Sequence, residues 1–193
     1  MRLILIWIAL TVALVVPASA HPNIGSAISL AAGVEHPFSG LDHITAMVVV
    51  GLWAAAKGNR ALWIWPLTFV AIMLIGGGLG LAHIAVPFVA PGILASVVVF
   101  GLMVAFAIEP PTWVGAAIIG VFALLHGHAH GAEMPDAVNR LEYLAGFAVA
   151  TAILHAIGIG LALALQRAAP DPVDRLAGVI CVSIGVGLCA GVF

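Results

Sequence analysis

Two short segments gather most of the imidazoles in this chain beside carboxylates: His36-x5-Asp42-His43, and His126-Gly-His128-Ala-His130-Gly-Ala-Glu133. Imidazole and carboxylate together form the ligand set for a borderline transition metal. Elsewhere charge is scarce, with 7% Asp, Glu, Lys and Arg against 64% hydrophobic residues. Ionisable groups are expensive in a bilayer, so where they gather they mark a function. On a helix, His126, His130 and Glu133 fall at i, i+4 and i+7 and line one face, while His128 points elsewhere unless Gly127 or Gly131 distorts the turn. His43 and Met47 are likewise i and i+4, setting a thioether one turn below an imidazole. Asp42 either ligates directly or accepts a ring N–H and fixes the tautomer of a ligand histidine. Each residue also has a plainer role. Ser39-x-x-Asp42 has the form of a capping box. Met47 fits core packing, His83 an interfacial position, and His155 a buried ring bonded to a carbonyl. Glu109, before Pro110-Pro111, reads as a solvated helix end, with an inner exit site as the alternative.

The elements that must position these groups are apolar helices. A mean hydropathy of +1.25 excludes an ordinary soluble domain and points to an integral membrane protein. The net charge of −2 leaves no basic surface for nucleic acid. Arg2, the apolar run Leu3 to Val16 and Ala18-Ser19-Ala20 read as a cleavable signal peptide over 1–20, favoured by the helix-breaking Pro17 over the alternative of an uncleaved first transmembrane helix. Cleavage there makes His21 the first residue, whose α-amino group and imidazole could chelate one ion together. Spans are expected near 39–57, 61–82, 91–109, 112–130, 140–165 and 174–192. Between them lie breakers or charge, such as Lys57-Gly58-Asn59-Arg60 and Glu109-Pro110-Pro111. With the mature N-terminus outside, the inner connections hold Lys57, Arg60, Arg167 and Arg175, and the outer ones Arg140 alone, in accord with the positive-inside rule. That topology puts His36, Asp42, His43, His83, His126, His128, His130 and Glu133 on the outer side and His155 near the middle of the bilayer. The segment 22–35 reads as a short helix or re-entrant piece folding His21 back toward His36. The many glycines fit close helix packing. Cys181 and Cys189 are too far apart on one helix for a disulfide and read as small core residues.

The segments His36-Pro37-Phe38-Ser39-Gly40-Leu41-Asp42-His43, Ala46-Met47 and Val50-Gly51-Leu52-Trp53-Ala54 resemble the HupE/UreJ family of bacterial nickel permeases. The second block, His126 to Glu133, matches that family's HGxAHGxE. The signal peptide and six spans fit as well, so the likeness covers essentially the whole chain. Members are implicated in nickel supply for hydrogenase and urease, with some relatives associated with cobalt. The resemblance implies metal recognition by His36, Asp42, His43, His126, His130 and Glu133. Further candidates are His21, Met47, His83, His128 and His155. Leu125 stands where the family often has Phe, and His128 adds an imidazole at a variable position.

The expectation is thus an all-α integral membrane protein, a six-helix transmembrane bundle forming a single permease domain over 21–193 after the signal peptide. It is expected in the bacterial inner membrane with a periplasmic mature N-terminus. It would carry nickel, or alternatively cobalt, inward without ATP, with no permanently bound cofactor and no catalytic activity; no P-loop is present. Oligomeric state and coupling ion stay open. Two rivals are a b-type cytochrome with transmembrane histidine ligands and a membrane zinc hydrolase, although an H-E-x-x-H pattern is absent.

Overall fold

Breakers in the sequence divide a computed structural model of the chain into short apolar helices; it describes residues 29–135, 138–168 and 173–192. The signal peptide, its cleavage site and His21 lie outside the described residues. Those residues hold seven α-helices and no strand: α1 (Ser29–Glu35), α2 (Leu41–Lys57), α3 (Ala61–Leu81), α4 (Val89–Ala105), α5 (Thr112–Ala132), α6 (Arg140–Ala168) and α7 (Val173–Cys189). A 3-10 turn, His36–Phe38, joins α1 to α2. Gly58 ends α2 at φ 67°, a left-handed conformation that costs glycine little, and its N–H closes on the Ala54 carbonyl. Pro111 sets the N-cap of α5, where a missing N–H costs nothing.

α3, α5 and α6 are long and apolar enough to cross a membrane; α1 with its 3-10 turn and α2 together pass the same test but bend by 82°. α4 and α7 are shorter apolar helices. α1 is a short helix in the part of 22–35 that is described, where a short helix or re-entrant piece is expected. Helix limits differ from the expected ones by a few residues, most at α4, which begins at Val89 and ends at Ala105. There Phe106 and Ala107 close the last turn, Ala107 at positive φ, so Ile108 and Glu109 belong to the connection.

The connections alternate between two ends. At one, Trp53 donates to the Ile108 carbonyl and Trp65 to the Thr112 carbonyl, each at 2.8 Å, with the two indoles 4.3 Å apart. Lys57 Nζ lies 3.5 Å from Glu109 Oε2 nearby. The other end holds α1, the 3-10 turn and the histidine blocks. α2 runs through the middle, burying Thr45, Ala46, Met47 and every residue from Val49 to Ala55 against α3, α4, α6 and α7.

Backbone contact through glycine holds the helices in register. A Cβ on Gly127 of α5 would collide with the Met73 carbonyl of α3, and one on Gly131 with the Gly77 carbonyl. α2 and α6 meet the same way at Gly51 and Gly158. Such approach supplies the dispersion that replaces the hydrophobic drive absent in lipid. The outward faces remain apolar: Trp63 and Leu67 of α3 are 69% and 65% exposed, and Val149, Ile153 and Ile157 of α6 also face out.

Candidate metal centre

Two helices and a turn bring four imidazoles into ring contact at the histidine end. His36 comes from the 3-10 turn, His43 from the first turn of α2, and His126 and His130 from successive turns of α5. The rings form a column. His36 and His130 have centroids 4.7 Å apart, His130 and His43 4.4 Å, and His43 and His126 4.9 Å, all edge-on. His126 and His130 are almost fully buried, at 0% and 2% exposure. Burial, and next the neighbouring His43, lower the His36 pKa below its ordinary 6.5, because both disfavour the charged ring.

Asp42 serves His43 directly. Its Oδ1 accepts from His43 Nδ1 at 2.7 Å and from the His43 backbone N–H at 2.9 Å. His43 Nε2 is therefore the lone-pair nitrogen, and it is buried without a hydrogen-bond partner. Both ring nitrogens of His130, Nδ1 of His126 and the Tyr143 hydroxyl are also buried and unpartnered. Buried polar groups are normally satisfied, so this concentration of unpartnered polar atoms at one place is a feature of the site. The rings stack rather than close on a point. Among the described residues no three His, Cys, Asp or Glu side chains form a ready ligand cage.

The capping box expected at Ser39-x-x-Asp42 does not form. Gly40 is the N-cap of α2 and no side chain caps it. The Ser39 hydroxyl and backbone N–H both bond the His36 carbonyl, at 2.6 and 3.0 Å, closing the 3-10 turn instead. Asp42 is turned to its own neighbour, His43.

Other candidates are placed variously. Glu133 stands one residue past α5, exposed, because the helix ends at Ala132 before the i+7 position completes its face. His128 turns from the column, as its spacing implied, and its Nε2 meets the Ile84 carbonyl at 2.8 Å. His83 is exposed at positive φ and lines a shallow cleft of about 250 Å³ with Leu81, Gly131, Met134 and Arg140. Met47 is fully buried in the core. His155, 1% exposed with both ring nitrogens unpartnered, lies halfway along α6, below the column. Phe69 of α3 stands between, its ring 5.6 Å from His126 and 5.0 Å from His155. Glu109 is more than half exposed beside Lys57 at the opposite end.

Three residues that spacing did not single out join the site. Tyr143 and Phe147 of α6 flank the column, with Phe147 4.0 Å from His130 and Tyr143 5.8 Å from His36. Ser96 of α4, fully buried, lies 2.9 Å from His126 Nε2. Its signal was available: a lone hydroxyl in the apolar run Gly92-Ile93-Leu94-Ala95-Ser96-Val97-Val98-Val99.

Residues 8–188 of the chain match the family described as HupE / UreJ protein. The chain is 47% identical over 180 residues to Protein HupE of Rhizobium leguminosarum bv. viciae, covering 93% of this chain and 94% of that one. No solved structure matches it.

Proposed function

This chain belongs to the HupE/UreJ family, a membrane family associated with nickel and cobalt uptake for hydrogenase and urease, and from that premise we propose that it is an inward permease for a divalent transition metal, nickel first. It is an accessory protein of metal supply and not an enzyme. The observation that carries the reading is the column His36–His130–His43–His126, in which ring nitrogens of His130, His43 and His126 are buried and unpartnered at one end of an apolar bundle.

In this reading α2 to α7 are the six spans and 21–193 is one transport domain, released by removal of residues 1–20. The histidine end faces the periplasm and the tryptophan end the cytoplasm, as the inner placement of Lys57, Arg60, Arg167 and Arg175 favours. A hydrated ion meets His36 first, with Glu133 and His83 at the rim. It exchanges water for imidazole nitrogen at His130, His43 and His126, with Asp42 holding His43 in its ligating tautomer. Phe69 then separates the ion from His155, the only deeper imidazole among the described residues. Rings that stack without closing a cage suit a site that must release what it binds. Two charges moving inward across about 100 mV gain roughly 4.6 kcal/mol, enough for about a thousandfold accumulation without ATP.

The rivals fit the site less well. A haem needs two imidazoles on opposite faces of a flat macrocycle, and rings in edge contact leave no slot for one. A zinc hydrolase needs a carboxylate free to activate water. Asp42 is committed to His43, and Glu133 stands outside the buried column.

The test is uptake of radioactive nickel by cells expressing the chain, with His36→Ala and His130→Ala beside it and cobalt, zinc and copper as competitors. Uptake above the empty-vector level, lost in both variants, is expected. Equal uptake by all three proteins removes the site assignment, and no uptake by the wild type removes the function.

A further inference from the structure

The hydrogen bonds around the column decide which nitrogen each ring offers. Ser96 is fully buried, and its hydroxyl has one proton, donated to the Ile93 carbonyl at 2.6 Å. The same oxygen lies 2.9 Å from His126 Nε2. With its proton on the Ile93 carbonyl, Ser96 Oγ is placed to accept at His126 Nε2, the arrangement in which that nitrogen carries the hydrogen. A neutral imidazole bears one N–H, which leaves Nδ1 as the lone-pair nitrogen. That atom is buried with no hydrogen-bond partner. Across the contact, the Asp42 carboxylate accepts from His43 Nδ1 and leaves the lone pair on Nε2. The two rings, 4.9 Å apart, thus offer opposite nitrogens.

We propose that Ser96 is a positioning residue of the metal site: by accepting the Nε2–H of His126 it holds that ring as the tautomer whose Nδ1 is open to a divalent cation, the counterpart of what Asp42 does for His43. This rests on the reading of the histidine end as the metal-recognition site. Metal-ligating histidines are commonly fixed through their second ring nitrogen by a carboxylate or a carbonyl. Here one ring uses a carboxylate and the other a buried hydroxyl whose direction is set by the α4 backbone. A neutral acceptor suits His126, which is deeper than His43. It orients the ring without adding a second negative charge to the apolar interior, where an unpaired ion is costly. Released from Ser96, the proton of His126 is free to sit on either nitrogen. A ring protonated on Nδ1 offers only Nε2, the atom against α4.

The experiment uses the full chain in detergent micelles with histidine labelled by 15N, free of metal. The His126 signals are assigned by their loss in His126→Gln, and wild type is compared with Ser96→Ala. In wild type the hydrogen is expected on His126 Nε2, with a lone-pair signature at Nδ1. In Ser96→Ala both tautomers appear, and nickel affinity by calorimetry falls roughly tenfold, the lower end of what loss of such a partner costs. A hydrogen on Nδ1 in wild type overturns the proposal. So does a Ser96→Ala protein with the wild-type tautomer, whatever its affinity, since the hydroxyl would then act through packing alone. The tautomer is read without metal, so the two failures are distinguishable: a wild type that binds no nickel removes the metal site and with it the positioning role, whereas a wrong tautomer in a protein that binds nickel overturns the role of Ser96 alone.

Discussion

Replacing Gly127 by alanine tests whether the backbone contact of α3 and α5 holds the proposed metal site. The added Cβ would meet the Met73 carbonyl oxygen, with the Met73 carbonyl carbon 2.7 Å away and Gly77 N 2.9 Å away. These are backbone atoms and cannot rotate aside. Carbon atoms in ordinary contact lie about 3.5–4.0 Å apart, so α3 and α5 must separate locally by about 1 Å. Overpacking of this kind costs about 1–3 kcal/mol. The larger effect falls on function, because Gly127 follows His126 and precedes His130 by less than one turn. A shift of about 1 Å in the turn that carries His126 and His130 moves both rings relative to His43, and nickel affinity should fall about 10- to 100-fold. The matched control is Gly78→Ala on α3, where an added Cβ meets nothing within 4 Å. It should be neutral or stabilising by up to about 1 kcal/mol, as alanine is the better helix former. Both variants would be compared by thermal unfolding in detergent and by nickel calorimetry. Wild-type stability and affinity in Gly127→Ala, or equal losses in the two variants, would refute the reasoning.

Four further outcomes follow from the site. Asp42→Asn should weaken nickel binding about 10- to 100-fold by loosening the tautomer of His43, and an unchanged calorimetric affinity would remove Asp42 from the site. His128→Ala should keep wild-type uptake while His130→Ala loses it, since His128 is bonded to the Ile84 carbonyl outside the column; the reverse order in a radioactive nickel assay would sink the assignment. The His36 ring should titrate below 6.5 in metal-free protein: its lowered pKa keeps it neutral and able to ligate at pH values where a free imidazole is half protonated. NMR titration finding a midpoint at or above 6.5 contradicts the burial argument. Glu109→Gln should change stability by less than about 1 kcal/mol, because its contact with Lys57 is long and open to solvent; a larger shift in melting would show that this pair matters more than its geometry implies.

Much of this protein was legible in its residues one segment at a time. Long apolar runs bounded by Gly58-Asn59, Pro110-Pro111 and charge can only be helices in an apolar solvent, because every backbone polar group must be satisfied within the segment. Helical periodicity put His126 and His130 on one face and turned His128 away, and the structure keeps all three so. Membership in the family was likewise readable from His36 to His43 and from His126 to Glu133. Periodicity misled at the ends, where helices stop. Glu133 belongs to the face of an α5 that continues, but the helix closes at Ala132, and Ser39 closes a 3-10 turn rather than capping α2.

Which faces meet was decided only in three dimensions. A helix is free to turn about its axis as far as its own sequence is concerned; its rotation is set where backbones touch, at Gly127 against Met73 and Gly51 against His155. Those contacts bring His36 beside His130 and slot Ser96 of α4 against His126, pairings between residues far apart in the chain that no local pattern encodes. The sequence by itself determined which groups have the chemistry of metal ligands and that most of them lie in or beside apolar helices. The tertiary structure decided which of them share a buried space and which nitrogen each offers, because tautomer and burial depend on neighbours that arrive from other helices.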